Sequence, residues 1–213
     1  FDGGDAANSG FNEVSGCSFH DGINGAGLHI KCKNNKIHDN IFYNLTLTGT
    51  VGISIYSENP GYTANYNDIY NNTFTECYYG IWLGHNPAYE PTSRNLIHDN
   101  VFINVTNCIM LNPWIGAVNT VEDTKIYYND FHGCSHPFTA SSSSYSLIKN
   151  TVIAYNYFDA NVPSSDVNAL KGYNNTMSYQ NTFFPPNTTL VMENFNYDLI
   201  MDPNSWYYVA PRR

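Results

Sequence analysis

Hydrophobic positions along the chain fall in short alternating runs, not in helical stripes. The pattern Ile-x-x-Asn-x-Phe occurs as Ile37/Asn40/Phe42, Ile69/Asn72/Phe74, Ile97/Asn100/Phe102, Ile126/Asn129/Phe131 and Ile153/Asn156/Phe158. A weaker copy precedes these at Val14/Cys17/Phe19, and another follows at Ser178/Asn181/Phe183. Successive copies lie about 23 to about 32 residues apart, a spacing that marks a repeat architecture. After each of the earlier copies comes a second alternating run, as in Gly27-Leu-His-Ile30, Gly52-Ile-Ser-Ile55, Gly80-Ile-Trp-Leu83 and Cys108-Ile-Met-Leu111. Apolar residues two apart lie on one face of an extended chain, so these runs predict strands.

Three short strands per repeat, with one asparagine in register, describe a coil in which each strand pairs with its counterpart one rung away. The predicted fold is an all-β, single-stranded parallel β-helix of about seven rungs. Ile and Phe should stack inside as apolar columns. The repeated asparagine is expected at a tight turn in left-handed geometry, bonding turn backbone and its own counterparts up a ladder. On these motifs the chain, from about Phe11 to about Met192, resembles the right-handed parallel β-helix proteins. That pectate-lyase-like group is dominated by polysaccharide lyases and glycoside hydrolases, and the resemblance implies a right-handed coil.

The expected organisation is a leading loop or the end of an upstream rung over 1–10, the β-helix over 11–188 and a closing segment over 189–213. The closing segment carries Phe195, Trp206, Tyr207 and Val209, is too apolar for a free linker, and should fold back as a cap or along a side. A first rung without a cap would expose unpaired strand groups. It therefore predicts contact with a second β-helical domain or another copy of the chain.

Charge narrows the partners. A formal net charge of −9 argues against nucleic acid, which needs a basic face. No run approaches about 18 consecutive apolar residues, so no membrane-spanning helix is read. Five cysteines, Cys17, Cys32, Cys77, Cys108 and Cys134, cannot all pair and show no zinc spacing; Cys77 and Cys134 read as buried small hydrophobes. The chain begins at Phe1 with no signal peptide and reads as a mature or excised piece. Asn-x-Ser/Thr sequences at Asn44, Asn71, Asn104, Asn174 and Asn187 suit a secreted or cell-surface location.

Candidate chemistry lies on the outward face of the strands that carry the long loops 57–65, 84–94 and 112–122. One outward column reads His29, Ser54, Trp82, Met110, Thr139; the next reads Lys31, Tyr56, Gly84, Asn112. For elimination at a uronate, Lys31 or a metal would neutralise the carboxylate, and His29, Tyr56 or His85 would take the C5 proton. For hydrolysis two carboxyl groups are required, and Glu58 with Glu90 is the best pair. Trp82 and Trp114 offer flat faces to sugar rings, with Asn112, Glu90 and Arg94 as further substrate contacts. The plainer alternative makes the histidines surface residues and the Trp column an interface.

A second constellation, His38-Asp39, Asn71, His98-Asp99 and Tyr127-Tyr128, stands just before the ladder asparagines. Aligned carboxylates admit calcium, although solvated turn residues explain the same pattern and no metal ligand is assigned. The Asn-rich rungs and acidic balance are similar to archaeal surface proteins, specifically the disaggregatase-related family of methanogens. That resemblance implies a domain degrading a uronate-rich matrix polysaccharide. The rival expectation is a non-catalytic carbohydrate-binding or structural cell-surface domain.

Overall fold

The computed structural model describes residues 10–56, 63–84, 91–112, 120–140, 147–159, 175–183 and 196–212. They form a parallel β-solenoid. The first sheet contains Glu13–Ser15, Lys36–His38, Asp68–Tyr70, Leu96–His98, Lys125–Tyr127, Val152–Ala154 and Met177–Tyr179. The second contains Ser18–His20, Ile41–Leu45, Thr73–Cys77, Val101–Ile103, Asp130–His132, Tyr157–Phe158 and Thr182–Phe183. The third, five strands deep among the described residues, runs from Ala26–Ile30 through Val51–Ile55, Tyr79–Leu83 and Asn107–Leu111 to His136–Thr139. Every pairing is parallel and in repeat register, for example Ile37 with Ile69, Ile69 with Ile97 and Phe74 with Phe102.

The core follows from this register. Because parallel strands lie about 4.8 Å apart, identical inward residues on neighbouring rungs meet face to face. Phe42 and Phe74 stack at 4.8 Å, Phe74 and Phe102 at 4.8 Å, Phe102 and Phe131 at 5.0 Å, and Phe131 and Phe158 at 4.8 Å. Ile37, Ile69, Ile97, Ile126 and Ile153 form a parallel buried column. Gly52 and Gly80 make room for the rings: a Cβ on Gly80 would come within 2.6 Å of the Cys108 carbonyl oxygen and 2.8 Å of the Phe102 ring. Cys77 and Cys134 are free and buried in line with Leu45 and Val105. Burial pushes the Cys77 thiol up to about 11, which leaves it a poor nucleophile.

Three features differ from the sequence expectation. The ladder asparagines do not themselves adopt the left-handed conformation. The residue before each one does, as at Asp39 (φ 54°), Asn71 (φ 52°) and Asp99 (φ 56°), and this bend points the next side chain inward. Second, there is a further ladder, Asn12–Asn35–Asn67–Asn95, at the corner entering the first sheet, with Nδ2 to Oδ1 distances of 2.8, 2.7 and 3.0 Å. Buried Thr124, Thr151 and Thr176 continue that position in later rungs, which hides the repeat from a search for asparagine. Third, a short fourth sheet of Thr92–Ser93, Val121–Glu122 and Ile148–Lys149 adds another side to the coil. Two-residue strands have too little alternation to be read from sequence.

The closing segment lies along a side. Its helix, Tyr197–Met201, is capped by Asn196, whose side chain accepts from the Asp198 backbone N–H. Ile200 and Val209 join Val152, Ala154 and Tyr179 in a second apolar cluster on the outward face of the first sheet. Lys125 Nζ donates to the Tyr208 carbonyl at 2.9 Å, and Tyr179 donates its hydroxyl proton to the Tyr207 carbonyl at 2.7 Å. No helix among the described residues is long and apolar enough to cross a membrane.

Candidate functional site

On the outward face of the third sheet, His29, Ser54, Trp82, Met110 and Thr139 stand in one register column. At its start the His29 ring meets the Tyr56 ring edge-on at 5.8 Å, and Lys31 Nζ lies 5.5 Å from the centroid of the same ring. Three expected catalytic residues thus form one cluster. His29 and Lys31 are half-buried and Tyr56 is 4% exposed. The column is nonetheless not an open floor, since Ser54 is fully buried. Trp82 stands two rungs from His29, its ring tilted against Tyr79 at 4.9 Å. Asn112 follows the fourth-rung strand, and its backbone N–H donates to the Leu83 carbonyl at 3.2 Å. Glu58, His85, Glu90 and Trp114 lie outside the described residues.

Arg94 is placed elsewhere, at the corner between the fourth and first sheets. The left-handed position of that corner is held by Phe11 (φ 62°), Tyr66 (φ 57°) and Arg94 (φ 55°) in three rungs, and by Asn34, Asp123 and Asn150 in others. Left-handed geometry costs a residue with a bulky side chain roughly 1–2 kcal/mol, and Asn or Asp less. A groove of about 390 Å³ runs between this corner and the first sheet, with Phe11, Lys36, Tyr66, Asp68, Arg94 and Trp206 among its walls. Arg94 bonds the Tyr66 hydroxyl and places its guanidinium 5.4 Å from that ring's centroid. Beyond Trp206 a second concavity, about 470 Å³, adds Asp123 and Asn150. There Asp123 accepts from Asn150 Nδ2 at 3.0 Å and lies 3.6 Å from Arg94 Nε.

The other outward column of the first sheet is a stack of rings. His38 lies 4.7 Å from Tyr70, Tyr70 5.3 Å from His98, and His98 4.8 Å from Tyr127. Each imidazole bridges two carboxylates, His38 reaching Asp39 at 2.6 Å and Glu13 at 3.0 Å, and His98 reaching Asp99 at 2.6 Å and Asp68 at 2.9 Å. The Asp39 hydrogen bond, helped by Glu13 against a desolvation penalty, raises the His38 pKa. Burial, with the charges of Asp68 and Tyr128, pushes the Tyr127 hydroxyl up to about 12. Arg212 pairs with Asp99 and covers the Tyr128 ring at 4.2 Å. The carboxylates that admit calcium in the sequence are therefore engaged with histidine and arginine. Among the described residues no three His, Cys, Asp or Glu groups are arranged to hold a metal ion.

A family model described as right handed beta helix region matches residues 2–123, more than half of the chain. The chain belongs to the right-handed β-helix family. No curated protein and no solved structure matches it.

Two features of this β-helix escape sequence reasoning, each for a definable reason. Tyr70, passed over in the sequence for its neighbour Asn71, shares with His38, His98 and Tyr127 the position after the repeated Ile and completes the ring stack. Phe11, Tyr66 and Arg94 each precede a member of the second ladder. Without that ladder they look like unrelated loop residues.

Proposed function

We propose that this β-helix is a secreted or cell-surface domain that degrades an acidic, uronate-containing polysaccharide, with the chemistry at His29, Lys31 and Tyr56. The observation that carries this reading is the convergence of an ammonium, an imidazole and a phenol on one point of the third-sheet face. In an elimination, Lys31 would pair with the uronate carboxylate and stabilise the charge that develops as the C5 proton leaves. His29 or Tyr56 would accept that proton. The C5–H electrons would form the C4–C5 double bond, the C4–O bond would break, and the departing oxygen would take up a proton. Hydrolysis would instead fall to Glu58 and Glu90.

The test is single replacement within the cluster. Lys31→Met and Tyr56→Phe should each lower polysaccharide cleavage about 100-fold or more, the scale of general acid–base and electrostatic contributions, with melting temperature within a few degrees of the parent. Cleavage at parental rates in both variants would remove the chemistry from this cluster. A non-catalytic carbohydrate-binding or structural surface domain is the second reading. It is favoured by the full burial of Ser54 and near burial of Tyr56, which narrow access to the column.

A further inference from the structure

We propose that the groove on the first sheet is a binding site for an anionic oligosaccharide, on a different sheet from the His29–Tyr56 cluster and independent of whether that cluster is catalytic. A corner that must bend through left-handed geometry is best served by Asn, Asp or Gly, yet this corner has Phe11, Tyr66 and Arg94 in three of the four rungs that line the groove. Outliers of this kind persist where the side chain has work at that point. Phe11 is 83% exposed and Tyr66 48% exposed, so neither is repaid by burial in the core. They stand two rungs apart, about 10 Å at the ordinary strand spacing, within the span of two linked pyranose rings.

Lys36 and Asp68 are register partners on adjacent strands, and an ion pair between them would be the ordinary outcome. Asp68 instead turns to His98, at 2.9 Å. The Lys36 ammonium is left in the groove with no hydrogen bond or ion pair among the described residues, in a chain with only 9 Lys and Arg against 18 Asp and Glu. Arg94 adds a second cation on the same wall.

The Trp206 ring lines the end of the groove. Trp206 Nε1–H donates to the Asn150 carbonyl at 3.2 Å, and its ring covers Lys125 Nζ at 4.6 Å. Flat apolar faces set along the coil axis, a cation without a partner and a second cation on the same wall match a sugar chain bearing carboxylates.

Titration calorimetry of the whole chain against a uronic-acid hexasaccharide and a neutral hexasaccharide tests this. Saturable binding of the uronate oligomer, at least tenfold tighter than the neutral one and weakened by salt, is expected. Lys36→Gln should erase that preference. Phe11→Ala, which removes an exposed ring and should leave the fold intact, should weaken both ligands. Absence of binding, equal affinity for the two oligomers, or binding indifferent to both substitutions in chains with parental circular dichroism would overturn the assignment. A chain that cleaves polysaccharide yet fails this titration would overturn the groove site and leave the catalytic reading standing.

Discussion

Asn100 shows how much one amide does in this coil. Its Nδ2 donates to the Ile69 carbonyl at 2.9 Å and to Asn129 Oδ1 at 3.0 Å, while its Oδ1 accepts from the backbone N–H and Nδ2 of Asn72, both at 3.0 Å. All the bonding capacity of the side chain is used. Aspartate could not donate, and alanine would strand buried partners at about 1–3 kcal/mol per unsatisfied group. Asn100→Ala should therefore cost at least about 3 kcal/mol in urea unfolding. Asn12→Ala, at the half-solvated end of the other ladder, should cost less than half as much. A loss under about 1 kcal/mol for Asn100→Ala would show that the ladder is not holding the corner. At this scale the sequence was informative about the first ladder, because asparagine repeats there through Asn156 and Asn181. The second ladder changes from asparagine to threonine midway, so its chemistry is not visible as a single repeated letter.

Among the elements, the first sheet differs most from a plain alternating surface. Its inward Ile column was legible from spacing alone, since a strand with one buried face leaves a period-two signature. The outward columns were not, because their meaning depends on which rungs touch. His38 shows this, since it bonds its sequence neighbour Asp39 and also Glu13 from the rung below. Its pKa lies above the ordinary 6.5 in the folded protein, so its stabilising effect is fully present below the unfolded value and is lost as pH rises through the folded value. Between about pH 8 and about pH 6 the parent should gain stability relative to His38→Gln as acid is added. Parallel melting-temperature curves for the two proteins across that range would contradict this assignment. The short fourth sheet marks the limit of periodicity arguments, since two-residue strands such as Thr92–Ser93 are defined by their partners Val121–Glu122 and not by their own pattern.

For the molecule as a whole, the repeat positions side chains in columns along one axis, and the functional reading depends on which columns a polymer can reach. His29, Lys31 and Tyr56 could be grouped from sequence because strand alternation and rung register suffice to place them. Arg94 could not, because its position depends on the corner into the first sheet, which only the second ladder reveals. The groove was hidden for a further reason: one of its ends is Trp206, brought from far along the chain by the closing segment.

The most direct measurement is incubation of the purified chain with matched uronate-containing and neutral polysaccharides, following the absorbance of unsaturated uronates and new reducing ends together. Both signals are expected with the uronate polymers and neither with the neutral ones. Neither signal with any polymer, or equal cleavage of the neutral ones, would contradict the proposed function.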